Sequence, residues 1–117
     1  MGQREYPRQN RVNEEIRRTL GQLIPGLRDP RLGLVTVTDV EVSKDYSQAK
    51  VFVSMLNTDD PDACIAALNH ASGFLRRELA RSTAMRTTPR LRFIHDQSIE
   101  HGARMDALID RGLPHDD

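Results

Sequence analysis

The stretch CIAALNHASGFLRRELARSTAMRTTPRLRF, Cys64 to Phe93, decides the fold of this chain. Ile65, Leu68, Ser72, Leu75 and Leu79 recur at helical spacing and hold one stripe straight through Gly73. Periodicity alone gives a single helix from Pro61 to about Arg81. Glycine inside a helix costs about 1 kcal/mol relative to alanine, and sharp kinks favour sites such as Ser72-Gly73. The stretch is therefore read as two helices meeting at Ala71-Ser72-Gly73. The alternative is one straight helix whose small residue lets a neighbour pack closely. Behind the kink stand six arginines, Arg76, Arg77, Arg81, Arg86, Arg90 and Arg92, with one acid, Glu78, among them.

Working outward, Asp60-Pro61 sets up the start of the first of these helices, with Asp as N-cap and Pro at the first helical position. Ser82 to Pro89 reads as a loop, and Arg90 to His95 as a strand with Leu91 and Phe93 on one face. Upstream, Ala49, Val51, Val53 and Met55 alternate with Lys50, Phe52 and Ser54 in a half-buried strand. Leu34 to Val42 is β-branched, but its alternation changes phase: Val35 and Val37 share one parity, Val40 and Val42 the other. This predicts a bulge near Thr38-Asp39 or a strand buried on both faces. The short connector Ser43 to Ser47 makes the two strands an antiparallel hairpin.

Val12, Ile16, Leu20, Leu23 and Ile24 form the stripe of an N-terminal helix, with Asn10 as its N-cap and Pro25-Gly26 as its stop. Glu14 can meet Arg17 and Arg18 on its other face. Asp96 or Ser98 can cap a weak last helix carrying Ile99, Met105, Leu108 and Ile109. The order is helix, strand, strand, helix, helix, strand, weak helix. That is an α+β layout with a three-stranded sheet covered by helices on one face. It divides into a flexible N-terminal segment (1–9), the folded domain (10–96), and a C-terminal helix and tail (97–117).

Length and composition bound the rest. At 117 residues the chain is one domain with one modest core, built mostly of Leu, Ile, Val and Ala, since only five residues are aromatic. It contains no run of about 18 apolar residues that would cross a membrane. The N-terminus is polar and charged, unlike a signal peptide. The one cysteine, Cys64, cannot form an internal disulfide and lies among apolar residues. A buried structural thiol in a reducing cytoplasm is the simplest reading. The formal net charge is zero, yet residues 61–96 hold six arginines against three acids, while residues 33–60 hold two lysines against five acids. Charge is segregated, and the overall balance says little about partners.

Catalytic chemistry finds no support. The four histidines make no metal-ligand spacing, and there is no Walker A sequence, no GxGxxG and no GxSxG. No metal and no cofactor is expected. Nucleic-acid binding fits better. Arg77 and Arg81 share a helix face, Arg76 flanks it, and Arg86 and Arg90 follow, so the five could track a phosphate backbone. Gly73 would allow a close backbone approach. Phe74 is nearby and is as readily core as surface. The rival reading is a protein-docking module acting through the acidic hairpin residues Asp39, Glu41 and Asp45.

Several segments, in order, carry a resemblance: RVNEEIRRTL, DPRLGLVTVTDVEVSKDYSQAKVFVS, LNHASGFLRREL and PRLRFIHDQSIEHGARMDALI. Together they resemble the bacterial ribosome-binding factor A family over roughly residues 10–110. The resemblance implies a type II KH-like fold, α-β-β-α-kink-α-β. Ordinary KH domains clamp nucleic acid with Gly-x-x-Gly, which occurs nowhere in this chain. The family instead has an Ala-x-Gly kink, which Ala71-Ser72-Gly73 matches. The resemblance further implies a ribosome assembly factor. It would bind 16S rRNA in the free 30S subunit, act on maturation of the 16S rRNA 5′ region, support growth in the cold, and be released with help from an assembly GTPase. Ala71, Ser72, Gly73, Arg76, Arg77, Arg81, Arg86 and Arg90 are the expected RNA-contacting residues of a cytoplasmic, monomeric protein.

Overall fold

The structure is a computed structural model, and it describes residues 7–97. Helix α1 spans Pro7–Leu23 and ends in a single 3-10 turn, Ile24–Gly26. Strands β1 (Leu34–Val42) and β2 (Gln48–Leu56) follow, then helices α2 (Pro61–His70) and α3 (Ser72–Ser82), then strand β3 (Arg90–His95). The α+β layout is as expected, except that α1 starts three residues before Asn10. Pro7 takes the start of the helix, a position where its fixed φ and missing N–H cost nothing. Asn10 is therefore an interior helical residue and not a cap. Residues 7–9, expected to be flexible, belong to the helix.

The sheet order is β1-β2-β3. β1 and β2 pair antiparallel from Leu34↔Leu56 to Val42↔Ala49, as the short connector requires. The register shifts between Val37 and Asp39, which leaves Thr38 as an extra residue. That bulge explains the phase change: Val37, Val40 and Val42 all point into the core. The Thr38 hydroxyl donates to the Asp96 carboxylate at 2.5 Å, with the Phe52 carbonyl 3.2 Å away. Asp96 is thereby tied to the bulge. The last helix predicted beyond it lies outside the described residues.

β3 pairs with β2 in parallel, from Gln48↔Arg90 to Val53↔His95. Parallel neighbours need a long crossover, and α2 with α3 supplies it. All three helices pack on one face of the sheet. Ile16 and Leu20 of α1, Leu68 of α2, and Leu75 and Leu79 of α3 meet Val51, Val53, Leu91 and Phe93 in one buried cluster. Each fully buried leucine contributes roughly 1.5–3 kcal/mol, so this layer outweighs any single cap or turn. Leu34, Thr36, Lys50, Arg90 and Arg92 point the other way and are exposed.

Both outer strands have backbone groups taken up by side-chain amides. Asn13, buried in α1, accepts the Val42 N–H at 2.9 Å, and Gln9 one turn earlier donates to the Val42 carbonyl at 3.1 Å. On the far side, Asn69 accepts the Phe93 N–H at 2.8 Å and donates to its carbonyl at 3.2 Å. Such pairing satisfies an edge that would otherwise invite another strand.

The connector between β1 and β2 is organised by Asp45. The hydroxyls of Ser43 and Ser47 each donate to its Oδ1 at 2.7 Å, and the Ser47 N–H does so at 3.0 Å. These donors hold its pKa down to about 2. A depressed folded pKa stabilises fully above the ordinary value of about 3.9. The stability gap between wild type and Asp45→Asn should be complete at neutral pH. It should close as the pH falls through about 2, as read from denaturant midpoints along the acid limb.

Glycines give a sharper test. A Cβ on Gly33 would lie 2.4 Å from the Leu56 carbonyl oxygen and 3.0 Å from that of Asn57, whereas one on Gly21 would meet nothing within 4 Å. Gly33→Ala should destabilise by about 1–3 kcal/mol through backbone collision. Gly21→Ala should stabilise α1 by up to about 1 kcal/mol. Urea titrations of the two variants check both signs.

Candidate nucleic-acid interface

The kink forms where the sequence places it. Asp60 caps α2 by accepting the Ala63 N–H at 3.1 Å, and Pro61 occupies the first turn. The apolar face of α2, Cys64, Ala67 and Leu68, is buried. Cys64 is a free thiol in the core, and burial pushes its pKa up, which suits a packing role. The break between the helices falls on Ala71, at φ −87° and ψ 2°. Its N–H still reaches the carbonyls of Ala67 (3.0 Å) and Leu68 (3.1 Å), and its own carbonyl accepts the Leu75 N–H at 2.9 Å. Helical bonding therefore runs into and out of one residue in the bridge region of φ/ψ space.

Two clasps hold the kink over β3. Asn69, two residues before Ala71, grips the Phe93 backbone as described above. Arg76, five residues after it, donates from Nε (3.1 Å) and Nη2 (2.9 Å) to the Thr88 carbonyl, two residues before β3 begins at Arg90. Gly73 lies in α3 and is exposed, and a Cβ there would make only an ordinary contact, 3.8 Å from Arg77 Nη1. The glycine is not needed for the backbone turn. What it contributes is a bare surface beside the Arg77 guanidinium.

The expected site residues separate into four places. Ala71, Ser72 and Gly73 form the kink, and Arg77 and Arg81 stand on the exposed face of α3 that follows it. Arg77 has no hydrogen-bond or ion-pair partner among the described residues. Arg81 is exposed, with Glu78 at 3.7 Å. Arg76 turns toward the loop and has its fork on Thr88. Arg86 lines a cleft of about 470 Å³ with Val12, Asp45, Tyr46, Met85 and Thr87, between α1 and the hairpin turn. Arg90 lies on the helix-free face of the sheet, where it lines a depression with Lys50 and Arg92. The structure thus gathers the kink residues with Arg77 and Arg81, and sets Arg86 and Arg90 apart from them.

The sequence allows Phe74 as core or surface, and the structure puts it outside, at 47% exposure. Its position carried the signal: it precedes buried Leu75 by one residue, which rotates it about 100° off the apolar stripe. The cross-strand pairing beside Arg90 was also missed. Lys50 stands opposite Arg92, a pairing that only the parallel register reveals. Among the rival's acids, Asp45 is spent on the hairpin turn. Among the described residues, no three His, Cys, Asp or Glu side chains converge as metal ligands would.

The element order and the kinked crossover define a type II KH-like domain, with Ala71-Ser72-Gly73 in place of a Gly-x-x-Gly loop. The family model for ribosome-binding factor A matches residues 8–109. Ribosome-binding factor A of Azoarcus sp. strain BH72 is 47% identical over 116 residues, covering 97% of this chain and 92% of that protein. The crystal structure of ribosome-binding factor A from Thermus thermophilus superposes with a TM-score of 0.68 at 36% identity, covering 74% of this chain and 94% of that one. A homology model of the Thermus thermophilus factor, fitted into a cryo-EM map of a 30S–RbfA complex, gives 0.64 at 36% identity, covering 73% and 91%. The chain belongs to the ribosome-binding factor A family.

The structural role of Arg76 is separable from that of its neighbour. Asn69→Ala should cost about 1–3 kcal/mol and Arg76→Ala about 1 kcal/mol, from lost hydrogen bonds to backbone. Arg77→Ala should stay within about 0.5 kcal/mol of wild type, as exposed substitutions usually do. Chemical denaturation of the three variants checks the order.

Proposed function

We propose that this chain is a non-catalytic assembly factor that binds the free 30S subunit through its 16S rRNA. The reading extends to late maturation of the subunit, including the 16S rRNA 5′ region, to growth in the cold, and to release by an assembly GTPase. It takes the protein to act as a cytoplasmic monomer. Among the described residues no helix is long and apolar enough to cross a membrane. Family membership supports ribosome binding, and the complex reported for the Thermus thermophilus factor supports the small subunit as the partner.

The observation that carries the RNA reading is the exposed stripe beside the kink. Arg77 lies without a protein partner among the described residues, one turn from Arg81, against a surface that Gly73 leaves bare. A guanidinium in that position offers its fork to a phosphate. Arg86 and Arg90 remain candidate contacts, but through other surfaces, and would touch RNA only where it wraps around the domain. Arg76 adds positive charge while its fork stays on Thr88.

Replacing Arg77 and Arg81 together by alanine should weaken binding to purified free 30S subunits. It should also flatten the log–log salt dependence by about two units, one for each lost phosphate contact. Affinity and slope that match wild type across the salt range would sink the assignment. Sedimentation of cell extract tests the wider reading: the protein should migrate with free small subunits and be absent from translating ribosomes.

A further inference from the structure

Phe74 is the one aromatic side chain among the exposed large hydrophobic residues described; the others, Leu34 and Leu56, lie together across the β1–β2 pair. A single exposed phenylalanine is ordinary on a protein surface, so its surroundings must carry the argument. Counting along α3, Phe74, Arg77 and Arg81 stand at i, i+3 and i+7. At that spacing successive side chains adjoin on one face, with Cβ atoms roughly 5–6 Å apart. The ring therefore heads a row of two arginines. Gly73, immediately before it, presents no side chain, and the kink at Ala71 ends the row on the other side.

We propose that Phe74 is a stacking platform for one unpaired base of an RNA strand whose phosphates run along Arg77 and Arg81. The proposal rests on the RNA reading above and names the form of RNA taken: single-stranded, at least locally. In a duplex the bases are stacked internally and the major groove is too deep and narrow for side chains to read. A loop or bulge can splay a base onto the ring while its backbone continues along the cations. A protein partner fits less well. Apolar anchors in protein interfaces work inside a desolvated, well-packed cluster, and the neighbours of Phe74 on this face are Gly73, Arg77 and Glu78.

Stacking and charge leave different signatures. Losing a stacking platform lowers affinity by roughly 5- to 100-fold without releasing fewer counterions, so the salt slope should not change. The test uses the full chain, a labelled single-stranded RNA 10-mer, the same sequence as a duplex, and purified free 30S subunits. Phe74→Ala and Phe74→Leu should both lose single-strand and subunit affinity at every salt concentration, with slope unchanged. Phe74→Tyr and Phe74→Trp should retain it. The Phe74→Trp fluorescence should be quenched by the single strand and not by the duplex. Unfolding midpoints of all four should match wild type within a few degrees.

Wild-type affinity for the single strand in Phe74→Ala overturns the proposal, as does full rescue by leucine, which has bulk but no ring. Loss of subunit binding with single-strand binding intact also overturns it, because the ring would then be an anchor for a ribosomal protein. A wild-type chain that binds neither RNA nor subunits refutes the proposed function itself, and this inference with it.

Discussion

The two-point clasp between Asn69 and the Phe93 backbone is the constraint on which the arrangement depends. β2 and β3 are parallel, so the chain leaving β2 must travel back along the sheet before β3 can begin. Two helices make that return, and two helices can cross a strand at many angles. Burial of Leu68, Leu75 and Leu79 narrows the choice, and Asn69 narrows it further. Its amide offers a donor and an acceptor to the N–H and carbonyl of one strand residue, much as a neighbouring strand would. The end of α2 is thereby registered to β3. Arg76 repeats the device for α3, with its fork on the Thr88 carbonyl. With one clasp on each side of Ala71, the angle of the kink is set by the strand beneath it and not by local dihedral preference alone.

This changes what the Ala-x-Gly segment is for. The sequence draws attention to Gly73, because glycine disfavours helix and suits bends. The structure puts the break at Ala71, whose dihedral angles any L-residue can adopt. Ala71 is half-buried and packs against the core, where a small side chain lets both helices close over the sheet. Gly73 is already helical and faces solvent. The two small residues thus divide the work: one permits packing beneath, and the other leaves the outer surface bare next to Phe74 and Arg77.

What the sequence reveals follows from the range of the interaction responsible. Apolar stripes depend on residues three or four apart, and they placed α1, α2, α3 and the faces of β2 and β3 correctly. The phase change in β1 marked the bulge at Thr38, because burial of Val37 and Val40 on one face requires an extra residue between them. The start of α1 was misplaced because Asn10 is a good cap by type, while Pro7 is a good first residue by position, and local preference does not rank them. The amide contacts of Gln9, Asn13 and Asn69 join residues 33, 29 and 24 positions apart. No local pattern shows them. The parallel register that sets Lys50 beside Arg92 is likewise invisible before the crossover is known.

The same distinction bears on the arginines. A run of six in seventeen residues reads as one basic track, but a charge acts on a partner only through donors that the protein has not already used. Arg17 is held by Glu14 and Arg31 by Asp29, both in exposed pairs. Arg76 has turned its fork on the Thr88 carbonyl. Arg90 alternates with buried Leu91, and strand geometry sends it to the face without helices. What remains beside the kink is a short row, Arg77 with no partner among the described residues and Arg81 with only a long contact to Glu78 at 3.7 Å, headed by a ring. Two cations supply a modest and salt-sensitive grip, too small for tight binding by charge alone. A surface of this kind must draw on shape and on uncharged contact, and the bare Gly73 and the exposed Phe74 are the parts of it able to provide both.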